Sequence, residues 1–512
     1  MLPSSLSKLA KQFKVDTLKS IFPHKFVNKD NLNYVGVVPS YQYFDGISES
    51  DYNDYCKNFN NNWNLKNESI KYCEIDCIAL YQVIETFAKL IFDLFQVNVS
   101  SVTTLPSLAF KIFRVKFLSK NLELPVLTGR VYDAISQAYF GGHVDMYIPK
   151  NFNKGLVYKY DVNGLYPYAM KAFEYPTDLF AHFYGDITKM PEFADLAWKD
   201  LSFLKVKVIA PKNIKHPILP FKANGTTIYG VGSWTGWYFS TEIRNALKYG
   251  YQFEILEGYL FESSDIFSAY VERLNQIKEQ ANSGTPMYII AKLLLNSLYG
   301  RFGMNPKTLT HVMVNKEELS DFIHKIGLDN LENQIELGDK ILASYQEDFG
   351  RTPKVNIAIA ATITANARVH MSNFKNLPGY TLYYTDTDSV YYNKPLPDHL
   401  IDSKKLGFFK PLPVLDSFVA LGPKVYGGRT VDGTEFTKTK GLKTKVTLNQ
   451  LAGLLKKDSS VNIEQVKWFN HLGDSTISVE ELTYELKPTD LKRNLVYKDG
   501  LIVGTSNKII EK

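Results

Sequence analysis

The chain has 512 residues, of which 45% are hydrophobic and 22% are charged, and this balance excludes bulk intrinsic disorder. A chain of this length is too long for one simple core, so we expect several domains or subdomains. The formal charge of +6, from 59 basic and 53 acidic residues, suits a polyanionic partner, although proteins without such a partner can be equally basic.

The N-terminal third begins with a basic, amphipathic segment at residues 1–15, which is similar to an organellar transit peptide but which we expect to belong to a folded domain. Apolar residues at helical spacing predict a helix over residues 70–96. Its buried stripe is predicted to consist of Ile75, Leu80, Val83, Ile84, Phe87, Leu90, Ile91 and Leu94. Cys56, Cys73 and Cys77 fit neither a disulfide framework nor a zinc site, and we interpret them as buried small hydrophobic residues.

Further elements are predicted along the rest of the chain. Residues 156–161 form a short strand that Asn163-Gly164 ends, and residues 265–300 form two helices that break around Ser283 to Pro286. Residues 380–393 are typical of a hairpin with a polar tip. A helix near residues 448–457 precedes short strands, and no apolar run is long enough to span a bilayer.

Three carboxylates stand at the ends of these predicted strands. Asp161 directly precedes a turn, while Asp386 and Asp388 flank Thr387 at the hairpin tip, where strand alternation would place the two aspartates on one side. Carboxylates are ligands that Mg²⁺ prefers, and two cations roughly 3.5–4 Å apart can activate a hydroxyl and stabilise a leaving pyrophosphate. Taken singly, each feature has an ordinary interpretation as a turn former or a solvated tip.

Three motifs in one order resemble those of family B DNA polymerases. Asp161 to Pro167 (DVNGLYP) is similar to motif A, Lys292 to Gly300 (KLLLNSLYG) to motif B, and Tyr384 to Ser389 (YTDTDS) to motif C. Gly164 stands where the family usually has Ser, and we expect little harm because glycine keeps the tight turn. The resemblance implies an α/β multidomain right-hand fold with palm, fingers and thumb. It also implies template-directed addition of dNTPs to a 3′-hydroxyl with two Mg²⁺ ions, or Mn²⁺ in their place.

Other segments resemble the protein-primed branch of that family. They are Tyr139-Phe140-Gly141-Gly142, Thr364 to Arg368, Lys424-Val425-Tyr426, and Ser5-Leu6 with Leu9. This branch implies a DNA template and primer strand, a terminal protein as primer, no membrane, and a linear replicating element. The implied boundaries are 1–100 for a remnant of a ribonuclease H-like 3′–5′ exonuclease domain, 101–180 and 356–460 for the palm, 181–262 and 304–355 for two insertions, 263–303 for the fingers and 461–512 for the thumb.

The resemblance also implies roles for single residues. Asp161 and Asp388, with the carbonyl of Val162, would hold the metal ions, and Asp386 would make a weaker contact. The nucleotide site would comprise Leu165, Tyr166, Lys292, Asn296 and Tyr299, with Tyr166 excluding a 2′-hydroxyl. The DNA contacts would comprise Tyr139, Gly141, Gly142, Thr364, Arg368, Lys424 and Tyr426. Each also has an ordinary alternative, such as a solvated lysine, a packed ring, a turn glycine or, for Asn296, a helix–helix hydrogen bond.

The exonuclease motifs depart from the family. Tyr72 and Asp76 resemble the third exonuclease motif, but no D-x-E precedes them, and one carboxylate cannot hold two metals. Either proofreading is lost or the chain is the C-terminal portion of a longer protein. A decayed, catalytically inactive DNA-binding remnant is an alternative, whereas the Asp-Thr-Asp tip disfavours a reverse transcriptase. The Asn-, Lys-, Ile- and Tyr-rich composition favours an AT-rich mitochondrial plasmid, with a cytoplasmic or viral setting as the alternative.

Overall fold

The structure is a computed structural model. It describes residues 2–17, 20–192, 201–304, 309–346, 356–442, 444–471 and 476–511. Two compact units emerge, one formed by Met1–Leu118 with Ala269–Leu298 and the other by Ser119–Ser268 with Tyr299–Lys512. The motif-based domain boundaries stay predictions. Among the described residues, no helix combines the length and the apolar character needed to cross a membrane.

The first unit is mainly helical. Its helices are Leu6–Phe13, Glu49–Cys56, Leu65–Phe95, Leu105–Lys116, Ser268–Gln280 and the first part of Pro286–Phe302. The two short strands Val35–Gly36 and Trp63–Asn64 pair antiparallel. Phe26, Trp63 and Leu65 are buried together at this pair and form a small aromatic-rich core.

The long helix Leu65–Phe95 confirms the helix predicted for residues 70–96 and begins one turn earlier, where the Asn64 side chain accepts a hydrogen bond from the Asn67 N–H. From Ala79 onward its buried residues recur every four positions. They are Ala79, Val83, Phe87, Ile91 and Phe95. Of the predicted stripe, three residues are buried, Val83, Phe87 and Ile91, and four are half-buried, Ile75, Ile84, Leu90 and Leu94. The prediction was wrong for Leu80, which is exposed because it lies one position, or about 100° of rotation, beyond Ala79.

The cysteine interpretation was also wrong. Cys73 and Cys77 lie on the exposed side of the helix Leu65–Phe95, and Cys56 is half-buried. Both exposed cysteines fall outside the four-residue repeat that is buried, so their side chains contribute little to the core.

The segment that is similar to a transit peptide is folded, as expected. The helix Leu6–Phe13 begins at Ser5, whose hydroxyl accepts a hydrogen bond from the Lys8 N–H. Leu9, Ala10 and Phe13 are buried, and the helix packs against Leu65–Phe95.

The two helices predicted within residues 265–300 are confirmed as Ser268–Gln280 and Pro286–Phe302. Gly284, at φ +85°, lies between them, and Pro286 opens the second helix, where its fixed φ is compatible with a helix start. Leu294, Leu295 and Leu298 of the second helix are buried.

The second unit contains a five-stranded antiparallel sheet, which we call the carboxylate sheet. Its strands in spatial order are Phe409–Pro411, Tyr158–Val162, Ser389–Tyr392, Leu382–Asp386 and Val144–Met146. The strand predicted for residues 156–161 and the hairpin predicted for residues 380–393 are both confirmed. The sheet shares a core with the three strands Leu415–Gly422, Val425–Thr430 and Glu435–Thr439.

A buried helix, Ile357–Lys375, lies at the centre of this unit. It begins where the Asn356 side chain accepts hydrogen bonds from the N–H groups of Ala358 and Ile359. Its many alanines allow close packing, and it contacts the helices Gly129–Ser136, Leu165–Ala172 and Ser240–Leu247. Thr362, Thr364, Asn366, Arg368, Ser372 and Lys375 of this helix are therefore buried in protein, whereas Asn373 is exposed.

A second five-stranded sheet holds its own core of apolar residues. Its strands in spatial order are Ile509–Glu511, Val231–Phe239, Leu201–Ala210, Gln252–Ser264 and Tyr175–Tyr184. The strand Ile509–Glu511 lies parallel to Val231–Phe239 and so close to Gly232 that a Cβ there would clash with the Ile510 carbonyl oxygen.

The remaining elements of this unit are short. The helix predicted near residues 448–457 is confirmed as Leu448–Gly453, with Thr447 and Gln450 forming a capping box. Strands follow it, as expected. The further strands and helix are Phe221–Ala223, Thr226–Ile228, Leu309–Asn315, Leu319–Ile326, Leu331–Leu337, Lys340–Gln346, Val461–His471, Thr476–Leu486, Asn494–Lys498 and Leu501–Ser506.

Candidate active site

The predicted carboxylates meet in one cavity of about 530 Å³ within the second unit. Asp161 is the penultimate residue of the strand Tyr158–Val162 and lies opposite Ser389. The Val162 N–H donates a hydrogen bond of 2.8 Å to the Asp388 carbonyl. The residues that line the cavity are Lys159, Asp161, Tyr166, Tyr299, Asp386, Thr387, Asp388, Ser389, Leu412, Lys424 and Tyr426.

The hairpin tip is a two-residue turn, so the strand alternation predicted for Asp386 to Asp388 was wrong. Asp386 ends one strand and pairs with Ser389, while Thr387, at φ +57°, and Asp388 connect the strands. The Thr387 N–H donates to the His143 carbonyl at 2.8 Å, which fixes the tip to the neighbouring strand. Both aspartates still line the cavity, because the turn and not the pleat orients them.

Two of the three carboxylates have a lysine partner. The Lys410 Nζ lies 3.1 Å from Oδ2 of Asp161, and the Lys424 Nζ lies 2.8 Å from each carboxylate oxygen of Asp386. Among the described residues, no such ion pair is present for Asp388. Burial and then the neighbouring Asp161 raise the pKa of Asp388 to about 6.

The carboxylates are suited to hard cations although they do not form a preformed metal cluster. Within the described parts of the chain, no three or more His, Cys, Asp or Glu side chains are arranged to hold a metal. Lys424 engages both carboxylate oxygens of Asp386, whereas Lys410 lies against one oxygen of Asp161, so Asp161 and Asp388 keep more free oxygen ligands than Asp386 does. Mg²⁺ sites commonly use one or two carboxylates with substrate phosphates and water completing the coordination, so this donor set fits.

Tyr166 and Tyr299 form one wall of the cavity, with ring centroids 4.1 Å apart and planes inclined by 20°. Tyr166 lies in the first turn of the helix Leu165–Ala172. This helix begins directly after Gly164, which adopts φ +54°. Glycine adopts this left-handed conformation without strain, so the departure from the family Ser fits the local backbone. The Leu165 side chain is buried and faces the core.

Lys292 and Asn296 belong to the first unit. Both side chains are exposed on the helix Pro286–Phe302, which agrees with the shared helical face predicted for them. Their contacts with a nucleotide stay predictions.

The side chains of Arg368 and Thr364, which were predicted to contact DNA, are buried in the structure. Arg368 is buried, and its guanidinium donates hydrogen bonds of 2.8 and 2.7 Å to the carboxylate of Glu242. It also donates to the carbonyls of Phe140 and Gly141. Thr364 is buried and donates to the Ala361 carbonyl at 3.1 Å. The donors of both side chains are already hydrogen-bonded inside the protein. If Arg368 turned outward to reach DNA, the buried Glu242 carboxylate would lose its partner.

The two adjacent glycines differ in their surroundings. A Cβ added to Gly142 would lie 2.5 Å from the Cγ2 of Thr387, whereas nothing lies within 4 Å of a Cβ added to Gly141. The hairpin tip can therefore lie this close to residue 142 only because that residue is glycine. At Gly141 the space beside the backbone is unoccupied. Tyr139 packs its hydroxyl against Gly303.

Lys424 and Tyr426 both lie at the cavity, as their predicted roles require. The Lys424 N–H donates to the Tyr384 hydroxyl at 2.8 Å, and the Tyr426 ring lies 4.8 Å from that of Tyr384. These contacts join the strand Val425–Thr430 to the hairpin that carries Asp386 and Asp388. The K-x-Y segment and motif C are therefore positioned together.

Sequence reasoning missed a buried polar cluster behind the hairpin. The Nε2 of His143 lies 2.7 Å from Oδ2 of Asp145, and the Lys375 Nζ lies 2.6 Å from the His143 Nδ1. Burial lowers the pKa of Lys375 to about 7 and raises the pKa of Asp145 to about 6. The cluster supports the strand Val144–Met146, which pairs with Leu382–Asp386. No local sequence signal identifies it.

Three further residues at or near the site were also missed. Lys159 lies two positions before Asp161 on the same strand, so alternation along the strand could have identified it. Lys410 and Glu242 lie in no recognised motif, and only the pairing of distant segments brings them to Asp161 and Arg368.

The exonuclease-like residues lie in the first unit. The Tyr72 ring packs 4.8 Å from Phe22 and 5.3 Å from His24. Asp76 is half-buried, and its Oδ1 has no hydrogen-bond partner among the described residues. A structural role for both stays a prediction.

We expect Asp388→Asn to stabilise the chain when divalent cations are removed with EDTA. A raised carboxyl pKa means that the ionised form costs folding free energy above about pH 6, and that this cost disappears as the pH falls toward the ordinary value of 3.8. The variant should therefore melt about 2–4 °C above the wild type near pH 7.5, with a smaller difference near pH 5. Thermal denaturation at both pH values measures this.

The matched control is Asp386→Asn, which removes the ion pair with Lys424 and should give no gain in melting temperature. If Asp388→Asn melts at or below the wild-type temperature at both pH values, ionised Asp388 does not cost the folding free energy that we predict.

The sequence comparisons identify relatives over most of the chain. The family model of DNA polymerase type B, organellar and viral, matches residues 1–378. A probable DNA polymerase of Neurospora intermedia is 39% identical over 496 residues, covering 93% of this chain and 51% of that protein. A probable DNA polymerase of Ascobolus immersus is 35% identical over 523 residues, covering 99% and 42%. The chain thus spans about half the length of the curated relatives it matches.

The structural comparison confirms the predicted fold class. The phi29 DNA polymerase, solved with primer-template DNA and incoming nucleotide, superposes with a TM-score of 0.62 at 20% identity, covering 95% of this chain and 79% of that one. The right-hand polymerase fold is therefore shared. Because the family model covers nearly three quarters of the sequence, the chain belongs to the organellar and viral family of type B DNA polymerases.

Proposed function

We propose that this chain is a DNA-directed DNA polymerase that adds dNTPs to a 3′-hydroxyl with two divalent cations, Mg²⁺ or Mn²⁺. The observation that carries the proposal is the cavity in which Asp161, Asp388, Tyr166, Lys424 and Tyr426 meet, although motifs A and C and the K-x-Y segment lie far apart in sequence. A cavity formed by these three motifs has the acids, the nucleotide wall and the primer-strand residues that nucleotidyl transfer needs.

In this proposal Asp161 and Asp388 hold the cations, with the Val162 carbonyl as a further oxygen ligand. When bound, the cations lower the pKa of the attacking hydroxyl and stabilise the leaving pyrophosphate. Asp386 contributes less, because Lys424 already neutralises it. The hairpin turn orients Asp388 toward Asp161, and the repulsion between the two is what the cations relieve.

Lys424 and Tyr426 would then contact the primer strand, since both lie beside the carboxylates and carry a charge and a polar ring. Contacts with phosphate fix the register of a strand without reading its sequence, as a polymerase requires. Gly141, whose backbone is open, and Tyr139 would contact the template. Arg368 acts here as a positioning residue, because it holds the Phe140 and Gly141 carbonyls rather than DNA.

Tyr166 would exclude ribonucleotides. Its ring is fixed by stacking on Tyr299 and faces the cavity beside the carboxylates. A rigid ring at the nucleotide sugar leaves no room for a 2′-hydroxyl. By the motif B resemblance, Lys292 would contact the incoming triphosphate and Asn296 would contact the substrate; both side chains are exposed.

Priming by a terminal protein and replication of a linear mitochondrial plasmid extend this proposal. The support is the matched family, described as organellar and viral, and the similarity to a DNA-directed DNA polymerase of Enterobacteria phage PRD1, 23% identical over 304 residues. Covalent transfer of a labelled dNMP to a candidate terminal protein tests the priming. Extension of nucleic-acid primers alone would refute it.

Loss of proofreading in this chain also stays a prediction, which rests on Asp76 lacking the other exonuclease carboxylates. The test is incubation with a primer whose 3′ end is mismatched, without dNTPs. Shortening of that primer would show that the chain degrades DNA.

We expect Asp388→Ala to abolish primer extension with Mg²⁺ and dNTPs. The cations that Asp388 would hold stabilise the charge of the transition state by several kcal/mol. Without them the rate should fall to about one thousandth or less. The rate of extension of a labelled primer on a DNA template measures this. Asp398→Ala, at an exposed position after the hairpin, is the control and should extend normally. A folded wild type that extends nothing would favour the inactive remnant.

We expect Tyr166→Val to raise ribonucleotide incorporation relative to deoxynucleotide incorporation, because the smaller side chain opens space beside the sugar. The loss of one packed contact is worth about 1–3 kcal/mol, or about 10- to 200-fold in discrimination. Single-nucleotide insertion with dNTP and rNTP measures the ratio. Tyr168→Val, on the same helix but outside the cavity, is the control. Unchanged discrimination in Tyr166→Val would contradict its role.

We expect Gly142→Ala to slow primer extension by about 10- to 100-fold, because its Cβ would displace Thr387 and with it the carboxylate hairpin. Gly141→Ala is the matched control, since its Cβ meets nothing. The double variant Gly142→Ala with Thr387→Gly removes the clash and should recover activity. Equal rates for the two alanine variants would show that the tip tolerates the displacement.

A further inference from the structure

Lys410 lies beside Asp161 because of strand register. It belongs to the strand Phe409–Pro411 at the edge of the carboxylate sheet and pairs directly with Asp161. Directly opposed residues on antiparallel strands project to the same face, so the two side chains are neighbours irrespective of rotamer choice. The Nζ of Lys410 lies 3.1 Å from Oδ2 of Asp161, with 41% and 28% of the two side chains exposed.

The charges around the site are balanced without a metal. Asp161, Asp386 and Asp388 line the cavity together with Lys159 and Lys424, and Lys410 lies against Asp161. Lys424 engages both oxygens of Asp386, and the amino group of Lys159 lies near the rings of Tyr391 and Phe436. Lys410 is therefore the lysine that pairs with Asp161, a carboxylate that the proposed metal site also needs.

We infer that Lys410 occupies the place of a divalent cation on Asp161 in the metal-free enzyme and must be displaced for the cation to bind. This inference rests on the proposed metal-dependent function. An ammonium group and a divalent cation compete for the same carboxylate, and their mutual repulsion excludes both from it at close range. Lys410 thereby sets the cation concentration at which the site loads.

The competing explanation is that Lys410 only orients Asp161. The two explanations predict opposite changes when the charge is removed. If Lys410 is a competitor, a neutral side chain of similar length tightens cation binding. If Lys410 is a tether, the same change loosens Asp161 and weakens binding.

The test is Mn²⁺ binding to the full chain without DNA or dNTP, followed by the electron paramagnetic resonance signal of free Mn²⁺. We expect Lys410→Gln to tighten binding by about threefold to tenfold, a modest factor because solvent partly screens the pair. Lys410→Arg keeps the charge and should bind as weakly as the wild type. Lys404→Gln removes one exposed positive charge outside the cavity and should leave the affinity unchanged.

Unchanged or weaker binding by Lys410→Gln would overturn the inference, as would an equal gain in Lys404→Gln. Wild type that binds no Mn²⁺, or that binds it equally after Asp388→Ala, would overturn the proposed metal site itself. The first failure is seen in the Lys410→Gln and Lys404→Gln variants while wild-type binding still depends on Asp388. The second is seen in the wild type and Asp388→Ala alone, so the two failures are distinguishable.

Discussion

Burial of Asp388 beside a second carboxylate is the constraint around which the cavity of the second unit is arranged. Burial, and then the neighbouring Asp161, disfavour ionisation of Asp388 and raise its pKa to about 6. A flexible loop would relax by moving one carboxylate away. Here Asp161 is fixed by an interior strand and Asp388 by a tight turn between two paired strands, so both carboxylates stay in one cavity.

The support behind the hairpin is polar as well as apolar. Buried charges lose hydration and stay folded only when other groups replace it. Arg368 with Glu242, and Lys375 with His143 and Asp145, are buried in this way, and each group holds a strand or segment that reaches the hairpin tip. The Arg368 pair orients the segment ending at Gly142, and the His143 carbonyl receives the Thr387 N–H. These networks explain how a strained tip can remain fixed.

Much of the fold could be predicted from local patterns, and three of the failures share one cause. The helix at residues 70–96, the helix pair at residues 265–300 and the hairpin at residues 380–393 follow from periodicity and turn residues. Burial of Arg368, exposure of Cys73 and the partner of Asp161 depend on which distant segments pack together, and that is not encoded locally. Motif spacing identified Asp161, Asp388 and Tyr166, because those residues lie within the motifs themselves.

The lysines around the carboxylates show how a site can be stable before it is occupied. Three acids without partners would destabilise the sheet that carries them, whereas Lys410 and Lys424 neutralise two of them at distances typical of hydrogen-bonded ion pairs. Burial and the neighbouring Asp161 raise the pKa of Asp388, which has no such partner among the described residues, to about 6. In the proposed function Lys410 competes with a cation for Asp161, so stability of the empty site and affinity for metal would be opposed. If the cations bind together with the nucleotide, the triphosphate would supply a new partner for the displaced Lys410, and the opposition would be tolerated.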